Sequence, residues 1–482
     1  MKGSLLAGTA LALGGVGYRL AGDTLGRDYD IASSEALLAG VQPSPAPGEL
    51  PNLIVITADD LGYGDLGCYG SQAIHTPNLD RMADEGARLT DFYSSAPLCS
   101  PARASLLTGR YAIRSHIAVP FFPAGSPMDL IFHAGGVYRH GVRGIPQDEV
   151  LLPEMLQRRG YRTALVGKWH LGDRSPHLPR ENGFDYFYGP YFSNDMEPYV
   201  IYRNEEVAVA PPVDQSALTQ NLTREAVQFI HENQERPFFL YYAQPFPHVP
   251  LHASEAFRGR SKAGLYGDAV EEIDWSVGKI LEKLKELGID RNTLVWFISD
   301  NGPWLQRRQN GGSAGLLREG KNSTWEGGMR VPCIAWWPGT VPAGGVSPSL
   351  IAAMDLFPTF AGLSGAKIPG DRTFDGVDIT GVLKGAQGSP REFIYYYIND
   401  KLYAVRKGPW KAHFITHDSY TPDLPVVHEI PLLYHLEVDP SEKYDLSGKF
   451  PGIVEELTRE YEKQKLIRPV PSEIDKVMEN QN

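Results

Sequence analysis

Short runs that are apolar at every position alternate along this chain with longer helical patterns, and few folds accept that order. Leu53-Ile54-Val55-Ile56, within Asn52 to Thr57, is such a run, of the kind found in strands buried on both faces. Thr76-Pro77 then reads as an N-cap and first helical residue, with Gly86 as the stop. Glu149 to Arg159 is a helical pattern closed by Gly160, and Thr163 to Val166 is a short strand. Pro237 to Tyr242 is a strand, and Tyr266 to Leu287 is a long amphipathic helix ended by Gly288. Thr293 to Ser299 and Ile334 to Trp337 are further strands. The alternation predicts an α/β sandwich around a large, mostly parallel sheet flanked by helices.

The texture changes near residue 385. Phe393 to Tyr397, Leu402 to Val405, Trp410 to Ile415 and Leu433 to Leu436 read as successive short strands, followed by a helix from Ile453 to about Leu466. This predicts a catalytic domain over 49–385 and a small C-terminal α+β subdomain over 386–482. A chain of 482 residues can bury one large core and carry such an appendage. Ahead of both lie a Pro-rich stretch, Gln42 to Gly48, read as the end of a linker over 23–48, and an apolar Ala/Gly-rich run from Ser4 to about Gly17 after Lys2. That run, within 1–22, resembles a secretory segment; a cleaved signal and an uncleaved membrane anchor both remain open. The expectation is an exported protein: periplasmic, extracellular or membrane-tethered. No other segment reaches membrane-spanning length.

The formal net charge of −12 argues against nucleic acid or an anionic membrane as the main partner, although a pocket can be cationic inside an acidic protein. Three cysteines, Cys68, Cys99 and Cys333, are too few for a disulfide framework. Two acidic groups come directly after buried strands: Asp59-Asp60 after Thr57-Ala58, and Asp300-Asn301 after Ser299. In open α/β sheets ligands bind at the carboxyl ends of strands, and two such groups can converge on a hard divalent cation. Each alone reads equally as a turn or helix cap. Cys99 lies just ahead of a helical pattern beginning near Pro101, where free N–H groups and the helix dipole favour an anion.

The run Cys99-Ser100-Pro101-Ala102-Arg103, continuing to Gly109-Arg110, resembles the sulfatase signature with its Cys-x-Pro-x-Arg core. Gly167-Lys168-Trp169-His170-Leu171-Gly172 resembles the second signature, in the family's order. The likeness extends from Pro51 to beyond Asp439-Pro440. Tyr266 to Asp274 and Trp325 to Arg330 bring it closest to the arylsulfatase A and N-acetylgalactosamine-6-sulfatase branch. The resemblance implies an alkaline-phosphatase-like fold and hydrolysis of sulfate esters. It implies that Cys99 is oxidised to formylglycine by a formylglycine-generating enzyme, for which Pro101 and Arg103 are part of the recognition motif. The aldehyde hydrate carries two hydroxyls on one carbon, one to attack sulfur and one to expel sulfate later. It further implies one calcium ion held by Asp59, Asp60, Asp300, Asn301 and residue 99. Arg103, Lys168 and Lys321 match residues that hold the other sulfate oxygens. His170 matches the histidine that helps to release sulfate, and His248 the one that binds or protonates the leaving oxygen. Ser193 corresponds to a substrate contact.

A phosphodiesterase or phosphonate monoester hydrolase of the same superfamily is the alternative activity, and an inactive sulfatase-like binding protein a second. The substrate expected from the resemblance is a sulfated galactose-type or N-acetylgalactosamine sugar, with small aryl sulfates as surrogates. Tyr138, Arg139, His140 and Arg143, in the loop from Tyr111 to Gln147, read either as pocket-lining residues or as part of a solvated Gly-rich loop.

Overall fold

The computed structural model describes residues 31–42, 50–138 and 142–465, apart from 369, 371 and 387. The apolar run before Gly17 and the Pro-rich stretch from Pro43 lie outside the described residues. Ten strands form the main sheet. In spatial order they are Gly345–Ser347, Ala87–Leu89, Cys333–Trp336, Thr293–Ser299, Asn52–Ala58, Phe238–Ala243, Arg162–Gly167, Tyr186–Gly189, Ile201–Arg203 and Glu206–Val209. The five strands from Thr293–Ser299 to Tyr186–Gly189 are mutually parallel, whereas Cys333–Trp336 and the last two run antiparallel to their neighbours.

The unbroken apolar runs have a direct cause. Leu53 and Val55 pack into one core cluster with Trp169, Trp296 and Phe357, while Ile54 and Ile56 pack into another with Ile273, Val277 and Leu281. Successive side chains of a strand point to opposite faces, so a strand covered on both sides needs apolar residues throughout. Ala269, Val270, Ile273, Val277, Ile280, Leu281 and Leu284 repeat at helical spacing along Gly264–Glu286 and form its sheet-facing stripe.

The C-terminal strands Phe393–Ile398, Lys401–Lys407, Trp410–Thr416 and Val426–His435 form a separate antiparallel sheet, crossed by the helix Pro451–Lys465 through Leu457 and its neighbours. A buried charged network joins this sheet to the main body. Lys411 Nζ lies 2.9 Å from Glu326 Oε1 and 3.0 Å from Glu442 Oε1, and donates to the Thr324 carbonyl at 2.7 Å. Burial alone would raise the Glu326 carboxyl, but Lys411, Arg406 and Arg330 outweigh it and hold the group well below its usual range.

Three expectations need correction. Residues 23–48 are not linker throughout, because Ile31–Gly40 is a helix that buries Leu38 in the core and donates from Ser34 Oγ to the Gln147 carbonyl. The helix expected from Glu149 begins at Leu152, where Glu154 Oε2 accepts from Leu151 N at 2.7 Å and Pro153 lies in the first turn. The strand expected at Leu433 extends back to Val426, since Val426 and Val427 pair with Thr416 and Ile415.

Candidate active site

The register of the central strands decides which residues meet at the site. Ala58 lies beside Ser299, so Asp59-Asp60 and Asp300-Asn301 leave the sheet side by side at its carboxyl edge. Gly167 lies beside Ala243 on the other side, and Lys168 and His170 leave the same edge. A Cβ at Gly167 would stand 1.9 Å from the Ala243 carbonyl oxygen, and its φ is +116°, so only glycine permits this exit. His248 comes after the strand Phe238–Ala243, and Cys99 is the first residue of the wholly buried helix Cys99–Thr108. Asp60 (φ 66°) and His170 (φ 62°) both occupy the left-handed region, a backbone strain that aims their side chains into the site.

Ligand atoms of Asp59, Asp60, Cys99 and Asp300 all lie within 4.8 Å of one another. Asn301 Nδ2 donates to Asp60 Oδ1 at 2.7 Å, which leaves its buried Oδ1 with no partner. Lys168 Nζ donates to Asp59 Oδ2 at 2.5 Å, and Lys321 Nζ lies 2.8 Å from Asp60 Oδ1 and 3.6 Å from Cys99 Sγ. Burial, and after it the charge of Asp59, pushes Asp300 up to about 6. Burial also tends to raise Asp59, but Lys168, His248, Arg103 and Lys321 together drive it far below the carboxylate range. The Cys99 thiol is raised well above its ordinary value by burial and then by Asp59, so the unmodified side chain stays a neutral thiol.

Arg103 is committed to the protein. Its Nε and Nη2 donate to Asp300 Oδ2 at 3.0 and 2.8 Å, and Nη1 donates to the Lys168 carbonyl at 2.8 Å. The arginine therefore orients a carboxylate and the strand exit of Lys168. Neither Arg103 nor Lys168 is among the pocket-lining residues, whereas Cys99, His170, Ser193, His248 and Lys321 are. The pocket encloses about 490 Å³. His170 Nε2 is 3.0 Å from the Phe121 carbonyl and must donate to it, so Nδ1, which has no partner, is the acceptor of the neutral ring. Burial, then Lys168 and Arg103, keeps that ring neutral by lowering its pKa well below the usual histidine value. Ser193 Oγ is buried and unpartnered.

Sequence reasoning did not single out Asn194, whose Oδ1 lies 3.2 Å from His248 Nδ1 and whose Nδ2 donates to the Pro250 carbonyl at 2.8 Å. It also passed over Trp304, His417 and Tyr420, which line the pocket. Trp304 stands four residues after Asp300, a signal available from spacing; His417 and Tyr420 arrive from a distant strand connection and gave none. Tyr138 does not line the pocket. It is buried against Phe121 and Phe132, and its hydroxyl accepts from Phe122 N at 3.0 Å. Arg143 is exposed, and Arg139 and His140 lie outside the described residues.

Carboxylates grouped for a cation, beside lysines placed for an anion at the carboxyl edge of an α/β sheet, define a hydrolase of anionic esters. Residues 51–366 match the sulfatase family, and residues 389–482 match the C-terminal region of aryl-sulfatase. The N-acetylgalactosamine-6-sulfatase of Canis lupus familiaris is 43% identical over 449 residues, covering 85% of this chain and 84% of that protein. Arylsulfatase A of Homo sapiens is 37% identical over 485 residues and 91% of each chain. Among solved structures, the PsFucS1 sulfatase from Pseudoalteromonas sp. aligns with a TM-score of 0.78 at 30% identity, covering 91% of this chain and 94% of that one. The chain belongs to the sulfatase family and is a sulfuric ester hydrolase.

Proposed function

We propose that this enzyme removes sulfate from a sugar of the galactose or N-acetylgalactosamine type, with aryl sulfates as surrogates, using one calcium ion and a formylglycine made from Cys99. The observation that carries the reading is the convergence of Asp59, Asp60, Asp300 and Cys99 within 4.8 Å, beside Lys321. The residues suit a hard cation: three buried carboxylates crowd together, and Asn301 Oδ1 is a buried oxygen without a partner. Asp59, Asp60, Asp300 and Asn301 would hold a calcium ion there, which would offset the carboxylate charge and supply Lewis-acid polarisation, and hydrated formylglycine at position 99 would supply the nucleophilic oxygen. Cys99 is 2% exposed and already helical, so the formylglycine-generating enzyme must reach it before the chain closes.

The chain's own residues then divide the work. Lys321, which lines the pocket, and the buried Lys168, paired with Asp59, supply positive charge for the remaining sulfate oxygens, and Arg103 fixes Asp300. A preorganised donor that lines the pocket, as Lys321 does, typically contributes about 3 to 4 kcal/mol in the transition state. His248 presents Nε2 to the leaving oxygen, and His170 offers Nδ1 as the base that frees sulfate after the ester bond has broken. Ser193 Oγ is an unpartnered hydroxyl for the substrate. The name of the relative N-acetylgalactosamine-6-sulfatase supports a sulfated carbohydrate as substrate, and the apolar run after Lys2 supports export. Parallel assays of the matured enzyme on defined sulfated oligosaccharides and on phosphate and phosphonate esters test the reading. Faster turnover of the sulfates is expected, and a preference for phosphorus esters would overturn it.

A further inference from the structure

One wall of the pocket comes from the C-terminal subdomain, through Asn399, Tyr403, His417 and Tyr420. Tyr420 lies in the connection between the strands Trp410–Thr416 and Val426–His435, with φ of 51°, a conformation that a bulky side chain rarely adopts. The surroundings hold it there. Ser419 Oγ donates to the Lys321 carbonyl, and Gln306 Nε2 donates to the Ser419 carbonyl at 2.8 Å. The Tyr420 ring stacks on Trp304, with centroids 5.3 Å apart and planes inclined by 29°. Trp304 is held in turn by the Arg307 guanidinium, 3.9 Å from its ring centre, and by Lys321 Nζ at 4.8 Å. Despite these contacts Tyr420 keeps 42% of its surface exposed.

An aromatic ring held in a strained backbone position, backed by a second ring and open to a pocket, presents a flat apolar surface to an occupant. The C–H face of a pyranose fits such a surface, while Asn399 and His417 in the same wall offer polar atoms to its hydroxyls. Building on the sulfate-ester reading above, we infer that Tyr420, backed by Trp304, is the platform on which the sugar ring of the ester stacks. The C-terminal subdomain thereby selects the alcohol half, while the main sheet handles the sulfate half.

The test uses the full-length matured enzyme, its Tyr420→Leu and Tyr420→Phe variants, the methyl glycoside of N-acetylgalactosamine 6-sulfate as substrate, and inorganic sulfate as competitive inhibitor. Tyr420→Leu keeps an apolar side chain and loses the ring, so KM for the sugar sulfate should rise by roughly 3- to 10-fold. The inhibition constant for inorganic sulfate should not change, and Tyr420→Phe should restore the sugar KM. An unchanged sugar KM in Tyr420→Leu would overturn the platform. So would a parallel rise in both constants, because Tyr420 would then only be holding the Lys321 loop. If the wild-type enzyme turns over no sulfate ester, the proposed function fails instead. Calorimetric binding of the desulfated methyl glycoside then decides the platform by itself: binding lost in Tyr420→Leu and kept in Tyr420→Phe supports it, and any other pattern overturns it.

Discussion

Replacing His248 with alanine should separate poor leaving groups from good ones. His248 Nδ1 lies 2.6 Å from the Val249 carbonyl oxygen and 3.2 Å from Asn194 Oδ1. A carbonyl only accepts, so Nδ1 carries a hydrogen, and Nε2, 3.7 Å from Asp60 Oδ2, is the atom left for the substrate. Burial, and then Lys321, holds the ring below the usual histidine pKa, so its protonated form gives up a proton more readily than an ordinary imidazolium. A sugar alkoxide needs a proton in order to leave, whereas nitrophenolate does not. General acid catalysis typically supplies about 10² to 10⁴-fold, or roughly 3 to 5 kcal/mol. His248→Ala should lose about that factor in kcat/KM on a sugar sulfate and far less on nitrophenyl sulfate. Lys168→Ala should hurt both substrates alike, because its charge acts on the sulfate group they share. The assay is kcat/KM for both variants on both substrates at one pH and ionic strength. Equal losses for His248→Ala on the two substrates would refute the acid role.

Two further outcomes are fixed by the geometry. Asp59→Ala and Asp300→Ala should each abolish calcium binding and activity together; full metal occupancy in either variant, read by elemental analysis, would show that the ligands are wrong. Burial raises Glu154 from 4.5 to about 7, so the folded protein holds that proton more tightly than the unfolded chain, and stability is lost as pH rises through about 7. Glu154→Gln, which keeps an oxygen to accept from Leu151 N, should therefore stabilise the protein at pH 8 by up to about 3 kcal/mol and leave it unchanged at pH 4. A gain in Tm that is equal at both pH values would contradict that cause.

The parts of the site that chain order could reveal are those carried on strand ends. Asp59 and Asp300 come directly after runs whose apolar character marks them as central strands, and central parallel strands all place their C-terminal neighbours at one edge of the sheet. Cys99 and Lys168 were visible through their surrounding motifs. The role of Arg103 was not, because a motif names a residue without saying that its guanidinium is taken up by Asp300 and a backbone carbonyl. Tyr420 was invisible for a different reason: it lies 116 positions from Trp304 in sequence, and only the packing of the second sheet on the first brings the two rings together. The helix Ile31–Gly40 lacks a regular apolar stripe, so its sequence reads as linker. At Glu149 the helical pattern began too early because Val150 and Leu151 are buried for reasons of tertiary packing.

The proposed chemistry requires residue 99 to be formylglycine. Its thiol is buried and held neutral, which suits it poorly to act as a nucleophile unmodified. Mass spectrometry of the peptide spanning Cys99, taken from enzyme with measured sulfatase activity, tests this directly. The expected peptide carries formylglycine and couples to a hydrazide, with the coupled fraction tracking specific activity across preparations. An active preparation in which residue 99 is entirely unmodified thiol would rule out formylglycine as the nucleophile.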